Sequence, residues 1–167
     1  MAKQRGFTLV ELLVTVSIAA ILLATGLPAM QDFIKDSRIT TAANALVTAT
    51  QLARTAAVQY AANATLCISS NHRTCSGTRW TEGWMVWVDK NRNGALDRGE
   101  ALQYFDAPGG TLGITATTSR IRYDYRGFVT RGVGTFVLCD DRTGETGRRI
   151  HVRATGRTEI ERNYTCS

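Results

Sequence analysis

The feature that most constrains this chain is an apolar segment near its start. Residues 7–27 contain a single charged side chain, Glu11. As a helix that rises about 1.5 Å per residue, such a segment reaches about 31 Å, the thickness of a bilayer's hydrocarbon core. The sequence therefore predicts a helix that can span a membrane.

The flanks of the apolar segment predict its orientation. Lys3 and Arg5 precede it, so the positive-inside tendency keeps the N-terminus in the cytoplasm and places everything after Pro28 across the membrane. A cleaved secretory signal would have a shorter apolar core, no acid within it and a small-residue cleavage site behind it. Here Glu11 lies inside the run and Gly6 lies before it. We expect a single-pass membrane protein with its N-terminus in the cytoplasm and its head on the other side of the membrane.

The junction before this segment carries a specific motif. It reads Lys3-Gln4-Arg5-Gly6-Phe7-Thr8-Leu9-Val10-Glu11-Leu12-Leu13. This motif resembles the class III leader of type IV prepilins and type II secretion pseudopilins. In those families a prepilin peptidase cuts after the glycine, the new first residue is N-methylated, and the hydrophobic helix is retained. The resemblance implies cleavage between Gly6 and Phe7, methylation of Phe7, and filament-associated partners that are other pilins; Pro28 lies where pilin helices commonly kink or melt.

Glu11 has a physical reason to need a partner. A carboxylate in the apolar layer costs roughly 2.5–3.5 kcal/mol on insertion scales, so a functional role is expected. Cleavage after Gly6 would create a positive amine on Phe7, in the same chain or in a neighbour packed into a filament. The alternatives are a lone acid that reaches the interface or is protonated, and a plain signal-anchor helix.

Beyond Pro28 the pattern predicts an α+β fold. Apolar or small residues recur at three- and four-residue steps, which marks an amphipathic helix from about residue 33 to 62. They are Ile39, Ala43, Leu46, Thr50, Ala53, Ala57 and Tyr60. About eight short alternating segments follow, at residues 65–69, 84–88, 101–105, 112–116, 121–125, 135–139, 149–153 and 157–161. Short glycine turns, such as 144–147 and 155–156, leave no room for crossover helices, so the sheets are antiparallel.

Over this region the chain resembles the GspH/FimT family of minor pseudopilins and pilins. The resemblance implies a long helix packed on an antiparallel β-sandwich. The expected organisation is a leader peptide at 1–6, a transmembrane and filament-core helix at 7–30, an amphipathic helix at 31–63 and a periplasmic head at 64–167. The chain would act as a structural subunit at or near the filament tip.

The four cysteines are an even number in a domain expected outside the cytoplasm, where disulfides persist. Three pairings are possible. We favour Cys67 with Cys75, across a polar loop, and Cys139 with Cys166, which resembles a C-terminal bridge in minor pilins of this family. A zinc set of Cys67, His72 and Cys75 has irregular spacing and lacks a fourth ligand.

One loop matches a metal-binding pattern. Asp89, Asn91, Asn93, Gly94 and Glu100 satisfy the calcium-loop template D-x-[DN]-x-[DN]-G-x5-E, with Asp97 at the ninth position. The flanking residues are predicted to form strands rather than helices. Lys90, Arg92 and Arg98 offset the negative charge of the carboxylates. The alternative is a hairpin whose Asn93-Gly94 pair makes the turn. The sequence predicts no cofactor unless this loop binds calcium.

The positive charge is concentrated in the C-terminal half. The chain has a formal charge of +6, and Arg148, Arg149, Arg153 and Arg157 cluster around one expected hairpin. Such a patch could bind phosphates, and some family members used in DNA uptake carry a C-terminal Gly-Arg-x-Arg motif. Here Gly156-Arg157-Thr158 is followed by Glu159, which departs from it. We expect weak DNA binding at most, or solvated arginines.

Catalysis has little support in the sequence. His72 and His151 are the two histidines, neither lies in a recognisable motif, and the expected disulfides use every thiol. The chain is interpreted as a non-enzyme that is itself a substrate of the prepilin peptidase.

Overall fold

The computed structural model describes residues 8–167. Gly6 and Phe7, where processing is expected, lie outside the described residues. The helices and strands, in chain order, are α1 (Leu9–Gln59), β1 (Ala64–Ile68), a short 3₁₀ turn (Trp80–Glu82), β2 (Trp84–Val88), β3 (Ala101–Phe105), β4 (Gly113–Ala116), β5 (Arg120–Tyr123), β6 (Val129–Arg131), β7 (Gly134–Cys139), β8 (Gly144–Val152) and β9 (Thr158–Cys166). Two compact units are distinguished, one ending at Asp36 and the other comprising Ser37–Ser167.

The first part of α1 exposes its apolar side chains. Within the described residues, α1 is the one helix that is long and apolar enough to cross a membrane. Its large apolar residues before Ser37 are at least 40% exposed: Leu9, Val10, Leu12, Leu13, Val14, Val16, Ile18, Ile21, Leu22, Leu23, Leu27, Met30, Phe33 and Ile34. The helix continues through Pro28 without interruption, although proline cannot donate the hydrogen bond that the Ala24 carbonyl would receive.

The second part of α1 packs on the sheets with the expected stripe. Six of the seven stripe residues are buried: Ile39, Ala43, Leu46, Thr50, Ala53 and Ala57. Tyr60 is the exception, since it is 44% exposed and lies beyond the end of the helix at Gln59. The chain leaves the helix through Ala61, whose φ of 48° is left-handed. Six of the nine buried residues of α1 are alanines, which let the helix approach the strands closely.

The strands form two antiparallel sheets, as the sequence predicts. One has the order β3-β2-β1-β5-β6 and the other the order β4-β7-β8-β9. The sequence did not predict β6, which has only three residues. The predicted turn at 144–147 is wrong, because these residues begin β8 and pair irregularly with β9. Gly147 lets β8 lie close to β7 and β9, because a Cβ at this position would lie 2.6 Å from the Cys166 Sγ and 2.9 Å from the Leu138 carbonyl oxygen.

A main core and a smaller cluster hold the second unit together. The main core joins α1 to apolar residues of both sheets, among them Trp84, Tyr123 and Phe136. Trp80 packs edge-on to Phe136 at 4.8 Å between ring centroids. The smaller cluster lies on the other face of β2 and contains Cys67, Met85, Trp87, Cys75, Leu96 and Ala101. All five residues of β2 are therefore buried, where the alternation in the sequence suggested one buried face.

Candidate functional site

The start of α1 carries the lone acid of the apolar segment. Glu11 lies in the first helical turn, and its backbone N–H donates to the Thr8 Oγ1 at 3.2 Å. Thr8 thus caps the helix, and Thr8-Leu9-Val10-Glu11 has the spacing of a capping box. This role of Thr8 was not predicted from the sequence. No ion pair joins the Glu11 carboxylate to residues 8–167, and its expected partner, the Phe7 amine, lies outside them.

The cysteines form the two disulfides that the sequence analysis favours. Cys67 joins Cys75 with 5.6 Å between their Cα atoms, and Cys139 joins Cys166 with 5.9 Å. Neither thiol of the zinc alternative is free. His72 instead places its Nε2 3.0 Å from the Asp106 Oδ1.

The 89–100 loop connects β2 to β3 and is closed by its own side chains. Gly94 has a φ of +79°, and its N–H donates to the Asp89 Oδ2 at 3.0 Å. The Oδ1 atoms of Asn91 and Asn93 accept backbone N–H groups two residues ahead, at 3.0 and 2.8 Å. This is the arrangement of successive Asx turns. The turn alternative therefore has direct support from hydrogen bonds.

The acids of this loop lie in two environments. Glu100 is 4% exposed, and its carboxylate accepts N–H groups from Lys90 at 2.8 Å and from Asp97 at 3.0 Å. Asp97 is exposed, and hydrogen bonds from the Asn91 and Asn93 amides lower the pKa of its carboxyl. Within residues 8–167, no three His, Cys, Asp or Glu side chains converge into a metal-binding group.

The four arginines of the expected phosphate patch do not share one surface. Arg149 lies on one face of β8, whereas Arg148 points to the face that includes buried Ile150, since side chains alternate along a strand. Arg153 follows the end of β8 at Val152. Arg148 donates to the carbonyl oxygen of Gly147 at 2.9 Å. Arg157 lies beyond β8, in the turn that leads to β9.

Glutamates of β9 pair with the arginines that remain. Arg153 and Arg157 both contact the Glu159 carboxylate, at 2.8 and 3.4 Å, and the Arg153 hydrogen bond is the main reason that the pKa of Glu159 is lowered. Arg149 contacts Glu161 at 3.1 Å and lies 4.0 Å from the centroid of the Tyr164 ring. Internal contacts thus occupy this surface, and two guanidinium groups share the single Glu159.

An ordered turn that was not predicted from the sequence follows β5. Asp124 is 6% exposed and accepts N–H groups from Arg126 and Phe128 at 2.9 and 3.0 Å. The Arg126 guanidinium donates to Asp124 at 2.9 Å and lies 5.5 and 5.7 Å from the ring centroids of Tyr125 and Phe128. The signal was the Asp-x-x-Gly spacing up to Gly127. Tyr125 was instead assigned to a strand.

Comparisons with known proteins match both parts of the chain. A family model described as "Type II transport protein GspH" matches residues 42–156. A second, described as "Prokaryotic N-terminal methylation motif", matches residues 1–27.

Curated relatives match over a short part of the chain. Prepilin peptidase-dependent protein D of Escherichia coli K12 is 52% identical over 40 residues, which are 24% of this chain and 27% of that protein. Fimbrial protein Q of Moraxella bovis is 50% identical over 40 residues, which are 24% of this chain and 26% of that protein. The match therefore spans about a quarter of each relative.

The fold is similar to that of a solved minor pilin. The crystal structure of type IV minor pilin FimU from Pseudomonas aeruginosa PAO1 matches with a TM-score of 0.59 and 17% identity, over 78% of this chain and 93% of that chain. A second crystal form gives a TM-score of 0.56 and 20% identity, over 74% and 93%. At this identity the likeness concerns the fold alone.

Proposed function

The chain belongs to the GspH family of type II transport proteins, and we propose that it is a structural minor pilin or pseudopilin. It would enter a type IV pilus or a type II secretion pseudopilus through its N-terminal helix. One observation carries the proposal: α1 packs on the sheets from Ile39 onward, whereas its preceding part exposes an apolar surface. An apolar surface of this length needs lipid or other apolar helices around it.

The proposed path begins in the inner membrane. The N-terminus is cytoplasmic, the Ser37–Ser167 unit is periplasmic, and a prepilin peptidase cuts between Gly6 and Phe7. The match to the N-terminal methylation motif supports this step and the methylation of Phe7. The new Phe7 amine then pairs with Glu11 of the same chain or of a neighbour, which removes the cost of a lone carboxylate in the apolar layer.

The position at or near the filament tip and the absence of catalysis rest on the likeness to minor pilins. This role requires the chain to be a substrate of the peptidase and a partner of other pilins. It requires no cofactor, and calcium binding by the 89–100 loop is a separate proposal that needs neither the anchor nor a filament.

A second candidate function is DNA binding in DNA uptake. The observation that favours it is the pair of exposed guanidinium groups, Arg153 and Arg157, that share one glutamate and leave a positive charge uncompensated. The internal pairing of Arg149 and the separate face of Arg148 limit the patch. We therefore rank it below the assembly function.

The assembly function predicts both processing and a requirement for the charge of Glu11. After co-expression with a prepilin peptidase, mass spectrometry should find a mature chain that begins with methylated Phe7. Glu11→Gln removes the charge but keeps a side chain suited to the capping box, whereas Glu11→Ala removes both. Both variants should insert into the membrane and be cleaved, yet fail to enter filaments in an assay of sheared fibres.

Glu145→Gln is the matched control, because Glu145 is exposed on β8 and loses the same charge. It should assemble as the parent does. An intact Met1 after co-expression would contradict the pilin proposal. Filament incorporation of Glu11→Gln, but not of Glu11→Ala, would show that Glu11 acts as a helix cap and not as a charge partner.

A further inference from the structure

The 89–100 loop holds a buried carboxylate oxygen that has no hydrogen-bond partner in the described part of the chain. Asp89 is 2% exposed, and its Oδ1 makes no hydrogen bond. Its Oδ2 accepts the N–H of Gly94. Because Gly94 belongs to the loop, this bond turns the carboxylate into the loop. A buried charged oxygen without a partner is costly, so Oδ1 is a place where a bound cation would lower the free energy.

Three further side chains of the loop converge. The Nδ2 atoms of Asn91 and Asn93 lie 2.8 and 2.7 Å from one atom, the Asp97 Oδ2. The Oδ1 atoms of Asn91 and Asn93 each accept one backbone N–H and keep a second lone pair that can face a cation. Asparagine and aspartate oxygens are ligands that hard cations prefer.

The basic side chains that follow Asp89 are directed away from the acids. The Lys90 Nζ donates to the Gly99 carbonyl oxygen and lies 5.1 Å from the centroid of the Tyr60 ring. Arg92 donates to the Ala61 carbonyl oxygen at 3.2 Å. No described ion pair joins Lys90, Arg92 or the exposed Arg98 to an acid of the loop. The loop interior therefore keeps its negative charge.

We propose that the 89–100 loop binds one calcium ion, with Asp89, Asn91, Asn93, Asp97 and Glu100 as its side-chain ligands. Calcium accepts amide and backbone oxygens beside carboxylates, in a flexible geometry. It therefore does not require a cluster of three acids. Magnesium demands a near-ideal octahedron and keeps several waters, which suits such a loop less well. This inference goes beyond filament assembly and does not depend on it.

The loop is tied to two other parts of the second unit. The N–H of Asp89 donates to the Asn63 carbonyl oxygen at 2.8 Å, just beyond α1. Leu96 packs with Cys67 and Met85 in the smaller cluster. An ion held by Asp89 and Glu100 would therefore fix the β2–β3 connection against the end of α1 and against the Cys67–Cys75 loop.

The test uses the full chain in detergent micelles, freed of divalent ions with a chelator and titrated with calcium chloride. Calorimetry should show one saturable site with a midpoint of about 0.1–1 mM, the range of extracellular calcium modules. The Tm should rise with calcium, because the ion binds the folded state. Magnesium chloride at equal concentration should give neither effect.

Variants assign the site to the loop. Asp89→Asn and Asp97→Asn should each weaken calcium affinity at least about tenfold, the order expected from loss of one charged ligand, and Glu145→Gln should not change it. Asp97 is exposed, so Asp97→Asn keeps the test valid if the buried Asp89→Asn does not fold. Absence of saturable binding at millimolar calcium, unchanged affinity in Asp97→Asn, or an equal response to magnesium would each overturn the proposal.

Discussion

Asp124 illustrates how a single residue organises a surface turn. Its carboxylate accepts two backbone N–H groups and the Arg126 guanidinium. Burial alone would raise the pKa of Asp124, but the hydrogen bonds from Arg126 and Phe128 outweigh it, so the pKa lies below its ordinary value. The turn is therefore more stable when Asp124 is charged, and it presents Tyr125 and Phe128 to solvent.

The lowered pKa of Asp124 predicts a pH-dependent contribution to stability. This contribution is fully present above the ordinary aspartate pKa of about 4 and is lost as the pH falls through the folded-state pKa. Asp124→Asn should lower the free energy of unfolding by about 1–2 kcal/mol at neutral pH. The difference in the free energy of unfolding between Asp124→Asn and the parent should shrink below the folded-state pKa. Urea unfolding of the full chain in detergent at several pH values measures it, with Glu145→Gln as control; a difference independent of pH would contradict this origin.

Residue types and spacings predicted the Asn93-Gly94 turn, but they did not predict which side chains contact one another. The Asn93-Gly94 bend could be expected from residue type and spacing, whereas the Cys139–Cys166 pair was expected from the resemblance to minor pilins. The Arg126 contacts with two aromatic rings and the unpartnered Asp89 oxygen depend on side-chain positions that only the fold determines. Gly147 was predicted to lie in a turn. It lies in β8 instead, where a larger residue would collide with Cys166.

The helix α1 is an element with two different surfaces. Before Ser37 its apolar residues are exposed, and from Ile39 onward an alanine-rich stripe is buried. Ala49, Ala53 and Ala57 are fully buried, so the helix lies close to the strands at these positions. Small residues set the distance between the helix and the sheets.

This close packing predicts that α1 does not tolerate larger side chains on its buried stripe. Ala53→Leu should lower the free energy of unfolding by about 1–3 kcal/mol, since extra methyl groups overpack a filled core. Gln51→Leu adds a leucine on the exposed side of the same helix and should change it by less than about 0.5 kcal/mol. Urea unfolding of the full chain in detergent compares them; equal effects would mean that the stripe is loosely packed.

Periodicity predicted α1 and most strands because it records which face is buried. It failed where an element was short or buried on both faces. Three residues in β6 are too few for a pattern, and β2 is covered on its second face by Met85 and its neighbours in the smaller cluster. The length of β8 was underestimated because its first part contains Gly144 and Gly147, and that of β9 because its middle is polar and exposed.

For the whole molecule, net charge predicts less than the arrangement of charges does. The chain is positive overall, yet the β8–β9 hairpin neutralises much of its own arginine charge through Glu159 and Glu161. The alternation of side chains also separates Arg148 from Arg149. Composition showed the excess of arginine, but strand pairing determines how much of it faces solvent.

This arrangement predicts weak, salt-sensitive binding of duplex DNA by the full chain in detergent. Replacing Arg153 and Arg157 by alanine should reduce the slope of log K against log salt by about 0.9 for each phosphate that the protein no longer neutralises. The control replaces the exposed Arg131 and Arg120, outside the hairpin, with alanine and removes the same charge. Fluorescence anisotropy at low salt measures both. No binding at micromolar protein would remove the DNA function, and equal slopes would place the DNA site elsewhere on the surface.

The order of the strands also determines which sheet edges are open to pairing with another copy of this chain. Each sheet has two edges, formed by β3 and β6 in one and by β4 and β9 in the other. An open edge can recruit a strand from another molecule and start aggregation. β4 and β6 are very short, β9 carries Glu159, Glu161 and Arg162 along its length, and β3 pairs with β2 through a register shift at Val86 and Trp87. Ser37–Ser167 units crowded together would therefore not pair through the edges of their sheets.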